Sequence, residues 1–263
     1  KLINKDSQKN RTFRSYGYWS KIRIISLNLL KKYGLKNFRG MYNPSVTSYG
    51  DNQCLDVRFG LNFGILKLLR WIINFLYPIN IIFKEQVSRG ESYYIKFIKC
   101  KANLIQKDQK VIRLINKYDL NIDTLRGGCH TFSKFKDKNI SHHYIEKLNT
   151  IDFISKKINL TSKKSLLEIG GGFGVFTHLA IELFNIKKII FLEISPTLYV
   201  ATQYLKSFYG NCVIDYSKTR LKSNITFSNN NKLEIFCILP HQINLVETQV
   251  DLFHNAHSFS VMN

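Results

Sequence analysis

The second half of the chain holds a glycine-rich segment with the features of a small-cofactor site. It lies between a short apolar run, Ser165–Ile169, and an amphipathic helical pattern. Glycines at such a strand-to-helix turn let the backbone approach a ligand, and the start of the helix offers free N–H groups. Ligands gather at the carboxyl ends of parallel strands, which is where this segment falls. The glycines are Gly170, Gly171, Gly172 and Gly174.

The glycine spacing and two flanking acids bear on the type of cofactor. The dinucleotide pattern G-x-G-x-x-G needs a third glycine where Val175 stands. Glu168, two residues before Gly170, would repel a pyrophosphate but suits the cationic ammonium and sulfonium of S-adenosylmethionine. Glu193, at the end of the next apolar run, can accept hydrogen bonds from both ribose hydroxyls. We therefore predict S-adenosylmethionine as the cofactor; the alternatives are an NAD-type site and a glycine-rich turn without a nucleotide.

Strand and helix patterns alternate around this segment. Apolar runs of strand length are predicted at Ser165–Ile169, Lys188–Glu193, Leu233–Leu239 and Gln249–His254. The helix before the third run is predicted to begin at Ser195-Pro196, with Ser195 as its N-cap, and to end at Gly210. Such βαβ connections require parallel strands. The pattern therefore predicts an α/β, Rossmann-like sheet with about four parallel strands.

The front half of the chain has helical patterns at Lys21–Tyr33, Leu61–Phe83 and Tyr93–Tyr118. A segment over residues 121–141 breaks the pattern, which predicts a mainly helical domain at 1–125 and a cofactor-binding domain at 126–263. Leu61–Phe83 is amphipathic, so we predict a helix packed on its own domain, with peripheral membrane contact as the alternative. No transmembrane segment is predicted.

The distribution of charge points to the front domain as the part that meets a partner. Of the net charge of +21, residues 1–140 contribute 27 Lys+Arg and 9 Asp+Glu, and residues 141–263 contribute 12 and 9. An AT-rich gene would also raise the lysine count, but a functional excess predicts an anionic acceptor or a membrane surface. Five scattered cysteines without a C-x-x-C pair, and a polar start at residues 1–20, predict a reduced, cytoplasmic protein.

Several segments resemble the sugar O-methyltransferases of bacterial polysaccharide gene clusters, which are class I S-adenosylmethionine-dependent methyltransferases. They are Leu166–Gly174, Ile194–Tyr199, Ile238–Pro240, Val250–Phe253 and Asn255–Met262. The resemblance covers residues 120–263 and implies a seven-stranded sheet, with Glu168 and Gly170–Gly174 on the methionine part of the cofactor and Glu193 on its ribose. Because only four strands are predicted, we expect the others to follow Asn263, leaving the fourth as an apolar edge.

The resemblance implies methyl transfer to a sugar hydroxyl of a glycan or nucleotide-sugar in polysaccharide biosynthesis. Two other functions stay open. The basic front half favours a nucleic-acid methyltransferase, although no Asn-Pro-Pro-Tyr-like motif, which would stack an amine-bearing base, follows the fourth strand. Val261 stands where the resembled family leads us to expect an acid, which favours a non-catalytic cofactor-binding remnant.

A sugar hydroxyl must lose a proton as the methyl group arrives, and this requires a base or a metal ion. His257 is the predicted base, because it follows the fourth strand, near the methyl group in this fold. His178 is predicted to be exposed on its helix, and His142 and His143 to be polar positions at a helix start rather than residues of an acceptor cleft. No metal-ligand cluster is predicted. Asp251 is interpreted either as a support for the site or as the end of a strand.

Overall fold

The computed structural model describes residues 2–6, 23–24, 26–28, 30–31, 34–40 and 102–255. The helices with defined bounds are α1 (Leu2–Asp6), α2 (Gln109–Tyr118), α3 (His142–Ser155), α4 (Val175–Phe184), α5 (Thr197–Tyr209) and α6 (Tyr216–Thr219). The strands are β1 (Phe132–Phe135), β2 (Lys138–Ser141), β3 (Ser165–Ile169), β4 (Lys188–Leu192), β5 (Val213–Ile214), β6 (Glu234–Ile238) and β7 (Leu252–Asn255). Short 3-10 turns lie at Leu35–Gly40, Leu160–Ser162, Gly210–Cys212 and Pro240–Leu245. The predictions for Leu61–Phe83, His257 and Val261 lie outside the described residues.

The chain divides into two compact units. One comprises Lys1–Gly50, Arg126–Gly128 and Thr150–Asn263, and the other Asp51–Leu125 and Cys129–Asn149. In the described part of the chain, the first unit contains the parallel sheet and the second contains α2 and an antiparallel hairpin. No helix in that part is both long and apolar enough to cross a bilayer.

The parallel sheet has five strands among the described residues, in the order β5-β6-β4-β3-β7. β3 pairs with β4 from Ser165 opposite Lys188 to Ile169 opposite Leu192, and with β7 along its other edge. The predicted α/β, Rossmann-like fold class is confirmed, and the predicted strand Ser165–Ile169 has the observed bounds. The prediction of four strands missed β5, because its two residues are too few to show a strand period.

The central strands β4 and β6 are buried from their second residue onward, so both faces of the sheet are covered there and these strands are apolar. One face carries a core of Ile190, Leu192, Phe236 and Ile238, closed by Ile225. Helix α5 ends where predicted, at Gly210, which has a φ of 54°. Its start differs from the prediction: Pro196 is the N-cap residue and no side chain caps the helix, so the assignment of Ser195 as N-cap is wrong.

Asp251 joins β7 to the amino end of β3. Its Oδ2 atom accepts hydrogen bonds from Lys164 N (2.8 Å), Ser165 N (3.0 Å) and Ser165 Oγ (3.1 Å). The hydrogen bond from Lys164 N holds the pKa of Asp251 below its ordinary value, with the bonds from Ser165 adding to it against partial burial. The glycine segment leaves β3 at its other end, so Asp251 fixes strand register rather than supporting that segment.

In the second unit, β1 and β2 form an antiparallel hairpin with Phe132 opposite Ser141. The hairpin lies inside the segment predicted to be a domain-boundary loop. Each of its strands has four residues, so the alternation of apolar and polar residues is too short to recognise in the sequence. The strands are joined at Lys136, which has a φ of 52°. His142 and His143 follow it at the start of α3 and are both buried. Their position at a helix start is as predicted, and that they lie outside an acceptor cleft stays a prediction; His142 Nε2 lies 3.0 Å from Ser133 Oγ.

Candidate functional site

The loop between β3 and α4 begins as a continuation of the sheet. Gly170 N donates to Leu192 O (2.9 Å), which extends the β3–β4 pairing by one residue. At the other end, Gly174 caps α4 with a φ of 95°, a left-handed conformation that residues with a Cβ rarely adopt. Gly174 N donates to Gly171 O (3.1 Å), so the loop is a tight turn that presents its backbone at the carboxyl edge of the sheet.

Glu193 ties the end of β4 to this loop. Its carboxylate accepts hydrogen bonds from Gly172 N (2.9 Å) through Oε2 and from Ile194 N (2.8 Å) through Oε1. Burial raises the pKa of Glu193 to about 7, the two backbone hydrogen bonds oppose the rise, and the Glu168 charge adds to it. Glu193 thus stands at the predicted strand end, beside the loop, as a carboxyl group that titrates near neutral pH.

Glu168 lies beneath the loop and is 1% exposed. Its Oε2 accepts a hydrogen bond from Thr177 Oγ1 (2.5 Å) on α4, and its Oε1 lies 3.2 Å from Nδ1 of His254 on β7. The His254 ring stacks on Phe176, with centroids 3.6 Å apart and planes 8° apart. The carboxylate therefore links β3, α4 and β7, and its predicted role toward the methionine ammonium stays a prediction.

Gly171 is required for space rather than for its backbone conformation. A Cβ on Gly171 would lie 2.5 Å from Glu168 Cδ and 2.6 Å from the Phe191 ring. The loop thus packs directly on the buried acid, and a larger residue would push the loop away from it.

Phe173, also in the loop, packs into an aromatic cluster within the first unit. Its ring makes edge contacts with Phe38 (5.4 Å between centroids) and Tyr204 (5.0 Å), and the Arg39 guanidinium lies 4.9 Å from its centroid. Phe38 and Arg39 are each 2% exposed. The segment Leu35–Gly40 therefore buttresses the glycine loop, a role that no local sequence pattern indicates.

Asn255 ends β7 next to the glycine loop. It is opposite Ile169 in the β3–β7 register, and its Nδ2 donates to Ile169 O (3.2 Å). This places an amide side chain one residue from Gly170, at the edge where the predicted cofactor residues lie. Asn255 was missed as a candidate, although its position at a strand end could have identified it. The predicted base His257 lies outside the described residues.

The prediction that His178 is exposed is wrong. It is 1% exposed, and its ring packs against Phe208 with centroids 4.0 Å apart. The sequence placed His178 opposite the apolar stripe of α4, but the aromatic side chains of α5 cover that face as well. In the described part of the chain, no three His, Cys, Asp or Glu residues cluster as metal ligands.

The observed groups fit S-adenosylmethionine on two counts. Glu193 presents a buried acceptor at a strand end, as the hydroxyls of a ribose require, and it already accepts from the loop. The loop has no Cβ at Gly170, Gly171, Gly172 or Gly174, so its backbone can approach the methionine part. Glu193 and these glycines would hold the cofactor, which supplies a methyl group on a cationic sulfur.

Residues 133–256 match the family model described as ribosomal RNA adenine dimethylase. No curated protein and no solved structure matches the chain. Together with the parallel sheet, the match shows a class I methyltransferase domain whose cofactor is S-adenosylmethionine. The predicted cofactor and enzyme class are confirmed, whereas the matched family is a different one from the sugar O-methyltransferases that the sequence resembles.

Proposed function

We propose that this chain transfers a methyl group from S-adenosylmethionine to an adenine amine of an RNA. The observation that carries the proposal is the match of residues 133–256 to ribosomal RNA adenine dimethylase. Two further features support it: the basic front half, with 27 Lys+Arg against 9 Asp+Glu over residues 1–140, and Asn255 beside the glycine loop.

In the proposed reaction, Asn255 orients the acceptor. Its Nδ2 is anchored on Ile169 O, and an amide oxygen can accept a hydrogen bond from an exocyclic amine. When bound, S-adenosylmethionine would supply a methyl group on a cationic sulfur: the adenine nitrogen would take the methyl group, S-adenosylhomocysteine would be the product that leaves, and the methylated amine would release one proton to water. The loop and Glu193 hold the donor in place, so positioning supplies the rate enhancement.

A sugar hydroxyl is the second candidate acceptor. It is favoured by the resemblance of Ile194–Tyr199 and Val250–Phe253 to sugar O-methyltransferases, and by the segment that starts with Asn255, the last residue of β7, which reads Asn-Ala-His-Ser rather than Asn-Pro-Pro-Tyr. An oxygen acceptor needs a base, for which His257 remains the candidate. An amine acceptor depends on Asn255 instead, so the two proposals predict that substitutions at different residues reduce activity.

The test is a methyl-transfer assay with labelled S-adenosylmethionine. The protein is offered unmethylated ribosomal RNA and, separately, nucleotide-sugar and glycan acceptors. We expect label in RNA, recovered as N6-methylated adenosine, and a loss of about tenfold in kcat for Asn255→Ala, the value of one hydrogen bond of roughly 1.4 kcal/mol. His257→Ala is the matched control for Asn255→Ala and should leave RNA methylation intact. Label in the sugar fraction alone, lost in His257→Ala, would refute the RNA proposal in favour of the second candidate.

Binding of S-adenosylhomocysteine, measured by isothermal titration calorimetry, separates the cofactor site from the choice of acceptor. Glu193→Ala should weaken this binding because the ribose hydroxyls lose their hydrogen-bond acceptor. Glu247→Ala, which removes an exposed carboxyl group outside the glycine loop and β4, should leave the binding unchanged. Equal affinity in wild-type protein and Glu193→Ala would remove Glu193 from the proposed site.

A further inference from the structure

Strand β7 brings Asn255, the residue proposed to orient the acceptor, to the edge of the glycine loop. The strand has four residues, and in the described part of the chain it pairs on one side, with β3. A short strand at the end of a sheet is held by few backbone hydrogen bonds. The position of Asn255 therefore depends on the side chains that anchor the end of β7.

Two neighbouring side chains provide this anchoring. Asn255 Nδ2 donates to Ile169 O (3.2 Å) on β3. His254, the residue before it, has its Nδ1 atom 3.2 Å from Glu168 Oε1 on β3. The His254 ring also stacks on Phe176 of α4, with centroids 3.6 Å apart. His254 thus ties β7 both to the adjacent strand and to the helix that follows the glycine loop.

The contact between His254 and Glu168 assigns a proton on the imidazole ring. An ionised carboxylate only accepts hydrogen bonds, and Glu168 Oε2 already accepts from Thr177 Oγ1 (2.5 Å). Oε1 therefore receives its hydrogen bond from Nδ1–H of His254. The two side chains are 8% and 1% exposed, so water competes little for this bond and the low local dielectric strengthens it.

Glu168 is in contact with the glycine loop as well as with His254. A Cβ on Gly171 would lie 2.5 Å from Glu168 Cδ, so the loop rests directly on the carboxyl group. One buried side chain therefore touches both the loop that would hold the methyl donor and the residue next to Asn255. The relative position of the two halves of the site depends on this group and on its hydrogen bond to His254.

We propose that His254 is a positioning residue for methyl transfer, which acts by fixing Asn255 relative to the glycine loop through its hydrogen bond to Glu168. This inference rests on the proposed RNA methyltransferase function and adds a residue that acts through Asn255 rather than on the substrate. Transfer between two bound molecules depends steeply on their separation, and a misplacement of about 1 Å can cost a factor of about 100 in rate. The hydrogen bond, rather than the packing of the ring, carries this role.

The test compares two substitutions of His254 that each keep one of its two contacts. His254→Asn keeps an N–H donor, because Nδ2 of asparagine is as many bonds from the backbone as Nδ1 of histidine, and it loses the stacked ring. His254→Phe keeps a ring against Phe176 and loses the donor. We expect kcat for RNA methylation to fall about tenfold in His254→Phe and to stay within about threefold of wild type in His254→Asn. A packing role predicts the reverse order.

A double-mutant cycle tests whether His254 acts through Asn255. In Asn255→Ala the amide to be positioned is gone, so adding His254→Phe should lower kcat by less than about twofold, whereas independent roles would multiply to a loss of about a hundredfold. S-adenosylhomocysteine affinity should be unchanged in His254→Phe, because the carboxyl group beneath the loop stays in place. His178→Phe, which removes another buried imidazole of the first unit, is the control and should leave kcat unchanged.

Nitrogen NMR of the wild-type protein tests the hydrogen bond without relying on a substitution. We expect a proton on Nδ1 of His254 that exchanges slowly with water, and its signal is assigned by its absence from the spectrum of His254→Asn. A folded wild-type protein in which Nδ1 carries no proton would overturn the inference. This measurement decides the case if urea denaturation shows that His254→Phe does not fold.

Failure of this inference differs from failure of the proposed function. RNA methylation by the wild-type protein, with an unchanged kcat in folded His254→Phe, overturns the positioning role alone. A larger loss in His254→Asn than in His254→Phe, or losses that multiply in the cycle, has the same consequence. A wild-type protein that methylates no RNA overturns the proposed function and the inference together.

Discussion

Replacing Glu193 with glutamine should stabilise the protein and weaken its cofactor site at the same time. The carboxyl group is buried, and burial raises its pKa from 4.5 to about 7. In the unfolded chain the group ionises near its ordinary value, so between about pH 4.5 and pH 7 the folded protein keeps a proton that the unfolded chain has lost. The folded state is therefore penalised progressively as pH rises through this window, and fully above pH 7.

The size of the effect follows from the same pKa. At about 1.4 kcal/mol for each factor of ten in the dissociation constant, the penalty on the ionised folded state is about 3 kcal/mol above pH 7 and absent below pH 4.5. Glutamine cannot ionise, but it has one acceptor oxygen for the two N–H donors of Gly172 and Ile194. Losing one of these hydrogen bonds costs about 1 kcal/mol. We expect Glu193→Gln to be more stable than wild type by about 2 kcal/mol at pH 8, and no more stable at pH 4.

The assay is urea unfolding of both proteins at pH 4 and pH 8, with calorimetric titration of S-adenosylhomocysteine at pH 8. Glu247→Gln, at an exposed carboxyl group that accepts from Asn224 Nδ2 (3.2 Å), is the control for a general effect of removing a charge. Equal stability differences at the two pH values would refute the reasoning, since a buried ionised group must act through its titration. Unchanged cofactor affinity would leave the burial argument standing and remove the ribose role.

Three more variants test the surroundings of the loop. Gly171→Ala should weaken S-adenosylhomocysteine binding tenfold or more, because its Cβ would overlap Glu168 and displace the loop by a fraction of an ångström; full affinity would contradict this. Phe38→Ala should lower the free energy of unfolding by about 3 to 5 kcal/mol, measured by urea denaturation. The control is Leu221→Ala, whose side chain is 76% exposed, and equally small effects of the two substitutions would refute the role of Phe38 in supporting the glycine loop. Asp251→Asn should be less stable than wild type at pH 7, and the difference should vanish as the pH falls through the lowered pKa of Asp251; a pH-independent difference would exclude the carboxylate as its source.

The sequence predicted the centre of the sheet well and its periphery poorly, for physical reasons. β3 and β4 are buried on both faces, so they appear as apolar runs bounded by glycine or by charge. β5 has two residues, and the hairpin strands β1 and β2 are half polar, so neither produces a period that stands out. His178 shows a similar limit: helical periodicity locates the face toward the sheet, but it cannot show that Phe208 on another helix covers the opposite face.

Glu168 and Glu193, the two acids near the glycines, differ in their position relative to the strands, and this difference can be read from the sequence. Side chains alternate along a strand, so Glu168, inside β3, shares a face with Leu166, and both are buried. His254 is its partner in the β3–β7 register, which explains their contact. Glu193 instead follows the last residue of β4, where the chain leaves the sheet and a side chain can turn toward a ligand. Glu168, within the strand, already contacts Thr177 and His254. We therefore expect Glu168 to act on the cofactor indirectly, through the loop that it supports.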